Sequence, residues 1–182
     1  ISGRSIDYAV RSANERGLSV RYFRQNYLTA ALEEQAFDMV VMIYCDYGAL
    51  TPQERQIILK NIFSCLKKGG RFLLDVFSTV FWEKFTENQT WEIYPCGGFW
   101  NNQEHISWCG RYRYPQRVTL ERTIVLTKQE FCEYNIWNSC FSREELIDEV
   151  SRAGFSVCGT WSDVAGTVYS VASPTITLLA EK

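Results

Sequence analysis

Two apolar segments joined by a capped helix constrain the fold most strongly. Residues 38–43 (DMVVMI) and 71–76 (RFLLDV) are apolar on both faces, as is typical of strands buried in a parallel sheet. Between them, Thr51-Pro52-Gln53-Glu54 predicts a capping box with proline at the first helical position. We expect Gly69-Gly70 to end this helix. A strand, helix and strand in this order predict a parallel crossover unit.

The N-terminal residues predict three further elements. Residues 5–16 carry apolar side chains at helical spacing and precede Gly17, which is typical of a helix stop. Residues 18–23 (LSVRYF) predict a strand, and residues 29–35 a short helix. The chain therefore begins at a helix entrance and continues with alternating elements.

The C-terminal residues complete this pattern. Ser142-Arg143-Glu144-Glu145 is a second capping box, and Gly154 is expected to end the helix that it opens. Strands are predicted at 155–161 and 175–180. Residues 88–138 hold few helix signals and several β-type runs, so we expect an antiparallel insertion of three to five strands there.

Composition limits the class of protein. The chain has 182 residues, 46% hydrophobic and 22% charged, with a net charge of −2, which predicts one globular domain and no nucleic-acid partner. No apolar run approaches the roughly 20 residues that cross a bilayer, so no membrane association is expected. Seven cysteines without CxxC spacing favour reduced thiols in a cytoplasmic protein and argue against a metal site.

Four segments together resemble the class I S-adenosylmethionine (SAM) dependent methyltransferase family. They are FDMVVMIYCDYGALT, LKKGGRFLLDVFS, FSREELIDEVSRAGF and the closing TITLLAEK. The resemblance covers roughly residues 1–80 and 140–182. It implies an α/β, Rossmann-like class I methyltransferase sheet, N-terminally incomplete, with an inserted antiparallel β lid. It also implies a transferase that uses SAM for methylation, and a single methyltransferase domain over residues 1–182.

The resemblance also implies where the cofactor and the methyl acceptor bind. In the family, loops after the strands contact the adenine, the methionine moiety and the acceptor. The matching cofactor positions here are Ile1, Ser2, Asn26, Tyr27, Tyr44, Cys45 and Asp46. Asp75 is expected to position a loop. The expected acceptor-binding residues are Tyr44, Tyr47, Trp100 and Tyr112.

His105 is the only histidine and so the weak candidate for a general base. Methyl transfer from a sulfonium can proceed through positioning alone, so a base is not required. A structural role for His105, and a core role for most aromatic residues of the insertion, remain alternatives.

The family's glycine-rich loop, its first strand and the acidic residue after its second strand have no counterpart in this sequence. We therefore expect an N-terminal extension of about 40 to 60 residues, the length of a strand, helix and strand unit. A complete chain would have to pair its strand edges anew or borrow strands from a second copy in a homodimer. SAM affinity is expected to be weak for these 182 residues.

These observations favour a methyltransferase acting on a small molecule held under an aromatic lid. The alternative is a catalytically inactive remnant, or a small-molecule binding module that keeps the aromatic pocket. A nicotinamide-dependent dehydrogenase shares the α/β layout but needs a glycine-rich loop of its own.

Overall fold

A computed structural model describes residues 3–182, so the predicted cofactor positions Ile1 and Ser2 lie outside the described residues. The chain divides into two compact units, of which the first ends at Glu33 and the second spans Glu34–Lys182.

The first unit contains one helix, α1 (Gly3–Glu15). Gly17 follows it with a φ of 67°, the left-handed conformation that glycine adopts at a helix end, so the predicted helix is confirmed. The strand predicted at 18–23 and the helix predicted at 29–35 are both wrong. The described residues of the first unit form no strand. Residues 18–23 therefore have no neighbouring strand to pair with, and their side chains are exposed.

The second unit is built on a four-stranded sheet in the order β1-β2-β8-β7. Strand β1 (Phe37–Met42) runs parallel to β2 (Leu66–Phe77), with Val40 opposite Phe72. Strand β8 (Thr175–Glu181) is antiparallel to both β2 and β7 (Ser156–Trp161). The predicted parallel pair and the strands predicted at 155–161 and 175–180 are therefore confirmed.

Two capped helices connect these strands. Helix α2 (Pro52–Cys65) begins at Thr51 and α4 (Arg143–Arg152) begins at Ser142, each with both hydrogen bonds of the predicted capping box. The expectation that Gly69-Gly70 ends α2 is wrong. The helix ends at Cys65, and residues 66–70 already belong to β2, where Gly70 bonds to Lys182.

The chain leaves β2 through a short helix, α3 (Thr79–Lys84), and enters a second sheet. This sheet, here called the insertion sheet, is an antiparallel meander of four strands in sequential order. Its strands are β3 (Asn88–Tyr94), β4 (His105–Tyr114), β5 (Val118–Leu126) and β6 (Phe131–Ser139). It occupies the range in which the sequence predicts an antiparallel insertion.

The core of the second unit lies between the four-stranded sheet and its two helices. Phe72, Leu74 and Leu178 are fully buried on the two central strands. Leu146 and Leu59 face them from α4 and α2 and are also buried. Burial of side chains of this size stabilises a fold by about 1.5 to 3 kcal/mol each, so this layer holds the strand ends in place.

We expect Ser142→Ala to lower the free energy of unfolding by about 1 kcal/mol. The Ser142 side chain accepts from the Glu145 backbone amide at 3.2 Å, and alanine leaves that amide without its cap. The measurement is urea denaturation followed by circular dichroism. Ser151→Ala makes the same chemical change on the exposed side of the same helix. Equal losses from both variants would contradict a role for the cap.

Candidate functional site

The loop after β1 has an unusual backbone. Tyr44 and Cys45 both adopt positive φ, at 76° and 59°, a region that costs non-glycine residues about 1 to 3 kcal/mol each. Tyr44 is 95% exposed, whereas Cys45 is buried. A 3-10 helix (Asp46–Ala49) follows at once. The strained turn therefore places one aromatic side chain in solvent at the carboxyl end of a parallel strand, where open α/β sheets bind ligands.

Asp75 of the neighbouring strand β2 holds this turn. The backbone amide of Cys45 donates to Asp75 Oδ1 at 2.8 Å. Because β1 and β2 run parallel, the end of one strand lies beside the carboxylate of the other. Burial, with the nearby Asp75 carboxylate and Cys140, raises the pKa of the Cys45 thiol to about 12. Cys45 thus stays protonated near neutral pH and is no thiolate nucleophile.

The half-buried carboxylate of Glu149 fixes the next residues of the loop. The Tyr47 hydroxyl donates to Glu149 Oε1 at 2.5 Å, and Arg55 Nε donates to the same oxygen at 2.6 Å. Arg55 Nη1 also donates to the Leu50 carbonyl at 2.8 Å. Burial and the hydrogen bond to Glu149 raise the pKa of Tyr47. The loop, α2 and α4 are thereby joined through one charged network.

Gly48 brings the loop against the insertion sheet. A Cβ atom at this position would lie 2.9 Å from the Ser139 carbonyl oxygen at the end of β6. Any larger residue would push the two backbones apart. The loop after β1 therefore lies directly beside the last strand of the insertion sheet.

The structure separates the predicted acceptor-binding residues. Tyr47 is fully buried, so its side chain packs within the loop and does not reach an open site. Trp100 stacks on Tyr134 with ring centroids 4.9 Å apart. Tyr134 lies on the same face of the insertion sheet as its register partner Thr123 and thus as Cys109. Tyr112 lies three residues after Cys109 on β4, and because side chains alternate along a strand, it points to the opposite face. Trp100 and Tyr112 therefore do not line one pocket.

The other predicted site residues are distributed as follows. Asn26 lies in a turn of the first unit, where its Oδ1 accepts from the Leu28 amide at 3.0 Å, and Tyr27 is exposed beside it. Asp46 is exposed at the start of the 3-10 helix. Tyr44, Cys45 and Asp46 are thus held together by the second unit.

His105 has the surroundings of a structural residue. It is buried in the insertion sheet, with Nδ1 2.8 Å from the Gln103 carbonyl oxygen, which makes Nδ1 the donor. The Tyr94 ring stacks on it at 4.6 Å. Its Nε2 is buried without a hydrogen-bond partner. These contacts fix the ring and leave it no path to bulk solvent.

Sequence reasoning missed Arg55 and Glu149, which position the loop. Arg55 occurs between the capping box and the apolar stripe of α2, and Glu149 on a helix rich in acidic residues. Neither position differs from an ordinary solvated helix face. The only signal was spacing: Arg55 precedes the buried Ile58, Leu59 and Ile62 by helical intervals.

A groove of about 790 Å³ lies between α2 and α4, with the β4–β5 turn at one side. Its charged residues largely pair with one another. Arg117 contacts Glu145, and Asp148 contacts Arg152 at 2.5 Å. The Arg117 guanidinium and the Ser142 cap lower the pKa of Glu145 to about 2. Because these four side chains already pair with one another, their charges are not free to bind a ligand in the groove.

Comparison with known proteins identifies the fold. Residues 1–70 match the family model described as a methyltransferase domain. This segment of the chain is similar to that domain, and it spans less than half of the 182 residues. No curated protein matches the chain.

Solved structures share this methyltransferase fold over nearly the whole chain. A SAM-dependent methyltransferase from Clostridium acetobutylicum is 13% identical, with a TM-score of 0.74, covering 99% of this chain and 72% of its own. The CcbJ methyltransferase from Streptomyces caelestis is 15% identical, with a TM-score of 0.71, covering 98% and 75%. SAM-bound CalS10, an amino pentose methyltransferase from Micromonospora echinaspora, is 18% identical, with a TM-score of 0.55, covering 97% and 71%.

Within residues 3–182, no helix has both the length and the apolar character needed to cross a membrane. The same residues bring no three histidine, cysteine, aspartate or glutamate side chains together as metal ligands would be.

We expect Glu149→Gln to lower the free energy of unfolding by about 3 to 5 kcal/mol, because it leaves the buried Arg55 guanidinium without its counter-ion. Thermal and urea unfolding measure the loss. Glu144→Gln is the matched control, since Glu144 is exposed on the same helix and its loss should change stability by no more than about 0.5 kcal/mol. A Glu149→Gln variant as stable as the control would contradict the network's structural role.

Proposed function

We propose that this chain is a SAM-dependent methyltransferase, which transfers the methyl group of SAM to a small molecule held between the loop after β1 and the insertion sheet. The observation that carries the proposal is the turn at Tyr44 and Cys45, clamped by Asp75. A fixed turn at the carboxyl end of a parallel strand positions its side chains for a ligand. The contact between Gly48 and Ser139 places the insertion sheet at the same loop.

The residues of the loop fit the chemistry of the cofactor. SAM carries a sulfonium, an ammonium and a carboxylate, and it supplies an electrophilic methyl group when bound. The exposed Tyr44 ring can face a positive charge. The exposed Asp46 carboxylate can accept from the ammonium group. Asn26 and Tyr27 of the first unit are proposed as adenine contacts.

The proposed reaction needs few groups of the protein. A lone pair on an oxygen, nitrogen or carbon atom of the acceptor forms the new bond to the methyl carbon. The bond from that carbon to sulfur breaks, S-adenosylhomocysteine leaves as a neutral thioether, and the acceptor releases its proton to solvent. We assign no general base, because His105 is buried and stacked beneath Tyr94. The protein contributes orientation and exclusion of water.

A small acceptor is favoured by the surroundings of the loop. The net charge of −2 gives no basic surface for a nucleic-acid backbone. CalS10, which shares the fold, is described as an amino pentose methyltransferase. Tyr44 is the proposed acceptor contact on the loop, and Trp100 and Tyr112 are proposed contacts on two separate faces of the insertion. The seven free cysteines support a cytoplasmic location as part of the proposal.

We expect SAM and S-adenosylhomocysteine to bind this chain saturably in calorimetric titration and to raise its melting temperature. Tyr44→Ala should weaken SAM binding by roughly fivefold, because an exposed cation–π contact is worth about 1 kcal/mol. Tyr44→Phe, which keeps the ring, should retain most of the affinity.

Ile57→Ala is the control, since Ile57 lies on the exposed side of α2 and outside the loop. It should bind like the unaltered chain. A folded chain that binds neither compound would contradict the proposal and favour a remnant that has lost the cofactor site. Equal affinity in Tyr44→Ala would exclude Tyr44 as a contact.

A further inference from the structure

The two faces of the insertion sheet differ in how they are covered. His105, Ser107 and Thr119 point to one face and are buried. That face is covered in part by α3, where the Arg111 guanidinium lies 4.1 Å from the Phe85 ring centroid. We call the opposite face the Trp108 face. It holds the alternate residues of the four strands, and much of it is open to solvent.

The Trp108 face is strongly apolar at the end of the sheet that carries the β3–β4 and β5–β6 turns. The strand register places four apolar side chains in one row across all four strands. We call this the outer row, and it consists of Ile93, Ile106, Leu126 and Phe131. The next row contains Trp91, Trp108 and Ile124. Ile93 is 70% exposed, and Trp91 and Phe131 are each 65% exposed.

The exposed apolar area of this face is larger than a monomer usually shows. An aromatic side chain buries about 150 to 250 Å², so the exposed residues of the face present on the order of 700 Å² together. The residues counted are Trp91, Ile93, Ile106, Tyr114, Leu126, Phe131 and Trp137. The largest apolar patch on a typical monomer is about 300 to 600 Å². A stable interface buries about 800 Å² per partner.

The charges on this face are compatible with its own copy. Arg122 and Glu133 are the charged residues among the described positions of the Trp108 face, and they pair at 2.8 Å. The Arg122 guanidinium lowers the pKa of Glu133. The face carries one positive and one negative charge, so its net charge is zero. Two copies related by a two-fold axis can therefore meet through this face without net electrostatic repulsion.

The position of the outer row argues against a small-molecule occupant. Phe131 and Ser139 are the two ends of β6, so Phe131 lies about 27 Å from the strand end that contacts the loop after β1, at 3.4 Å per residue. An acceptor bound near Tyr44 would cover the near end of the face and leave the outer row in water. A flat sheet face this wide is matched in shape by another sheet, and two sheets pack about 10 Å apart.

We propose that the Trp108 face is the interface of a homodimer, in which the insertion sheets of two copies of this chain pack face to face. The outer rows and the Trp91 side chains form the apolar centre. The Arg122–Glu133 pairs lie next to it.

Analytical ultracentrifugation of the purified chain over a wide concentration range tests the proposal. We expect a dimer, and we expect Ile93→Glu and Phe131→Glu each to weaken the dimer by roughly 30-fold or more, as loss of a central contact does. Ile136→Glu is the matched control. Ile136 is 47% exposed on the same strand as Phe131 but on the opposite face, so this variant should remain dimeric.

Circular dichroism of each variant shows whether it is folded, and two independent variants keep the test valid if one of them unfolds. If the unaltered chain is monomeric at every concentration, the proposal is overturned. This holds even if the face then binds a small apolar probe or a different protein. A dimer that persists in both folded glutamate variants would also overturn it, because the interface would lie elsewhere.

Discussion

Glu149 is the group on which the loop after β1 depends. Its carboxylate accepts from the Tyr47 hydroxyl and from the Arg55 guanidinium, and Arg55 is itself almost completely buried. A buried charge is tolerated only where its partners are complete. Tyr47, α2 and α4 can therefore move little relative to one another. Tyr47 in turn fixes the strained turn at Tyr44 and Cys45, which precedes it in the chain. Asp75 holds the same turn from the neighbouring strand.

This arrangement explains why a short loop can serve as a site. The backbone of the turn has a conformational cost of about 1 to 3 kcal/mol per residue, and it persists because the core beneath it is tightly packed. Of the side chains that hold it, Tyr47 and Arg55 are buried and Asp75 and Glu149 are half-buried, whereas Tyr44 and Asp46 are exposed. The loop thus combines a fixed backbone with side chains that a ligand can reach.

Local sequence signals predicted the elements that carry them. Both capping boxes form as predicted, because Thr51 and Ser142 need only a glutamate three residues later. The parallel pairing of β1 and β2 was predicted because each segment is apolar on both faces of the strand. Residues 18–23 resemble a strand equally well but join no sheet, since a strand also needs a partner that composition does not reveal. The helix before β2 ended earlier than its glycines suggested, because the β8 pairing begins at Arg71 and the preceding residues extend with it.

The geometry around the candidate site was predicted only in part. The resemblance indicated the loop at Tyr44, Cys45 and Asp46, but Arg55 and Glu149 are distant in sequence and meet only when α2 packs beside α4. Trp100 and Tyr112 appeared equivalent as aromatic residues of one insertion. Their separation depends on the alternation of faces along β4, which requires the register to be known. The same register reveals the exposed Trp108 face, which the sequence does not distinguish from a core.

Hydrogen exchange of the chain with and without S-adenosylhomocysteine, read by mass spectrometry, shows whether the loop after β1 binds the cofactor. We predict slower exchange in peptides covering residues 43–50, with little change in the groove between α2 and α4. Slower exchange confined to that groove, or saturable binding without any change at residues 43–50, would contradict the assignment of the loop as the methyl-transfer site.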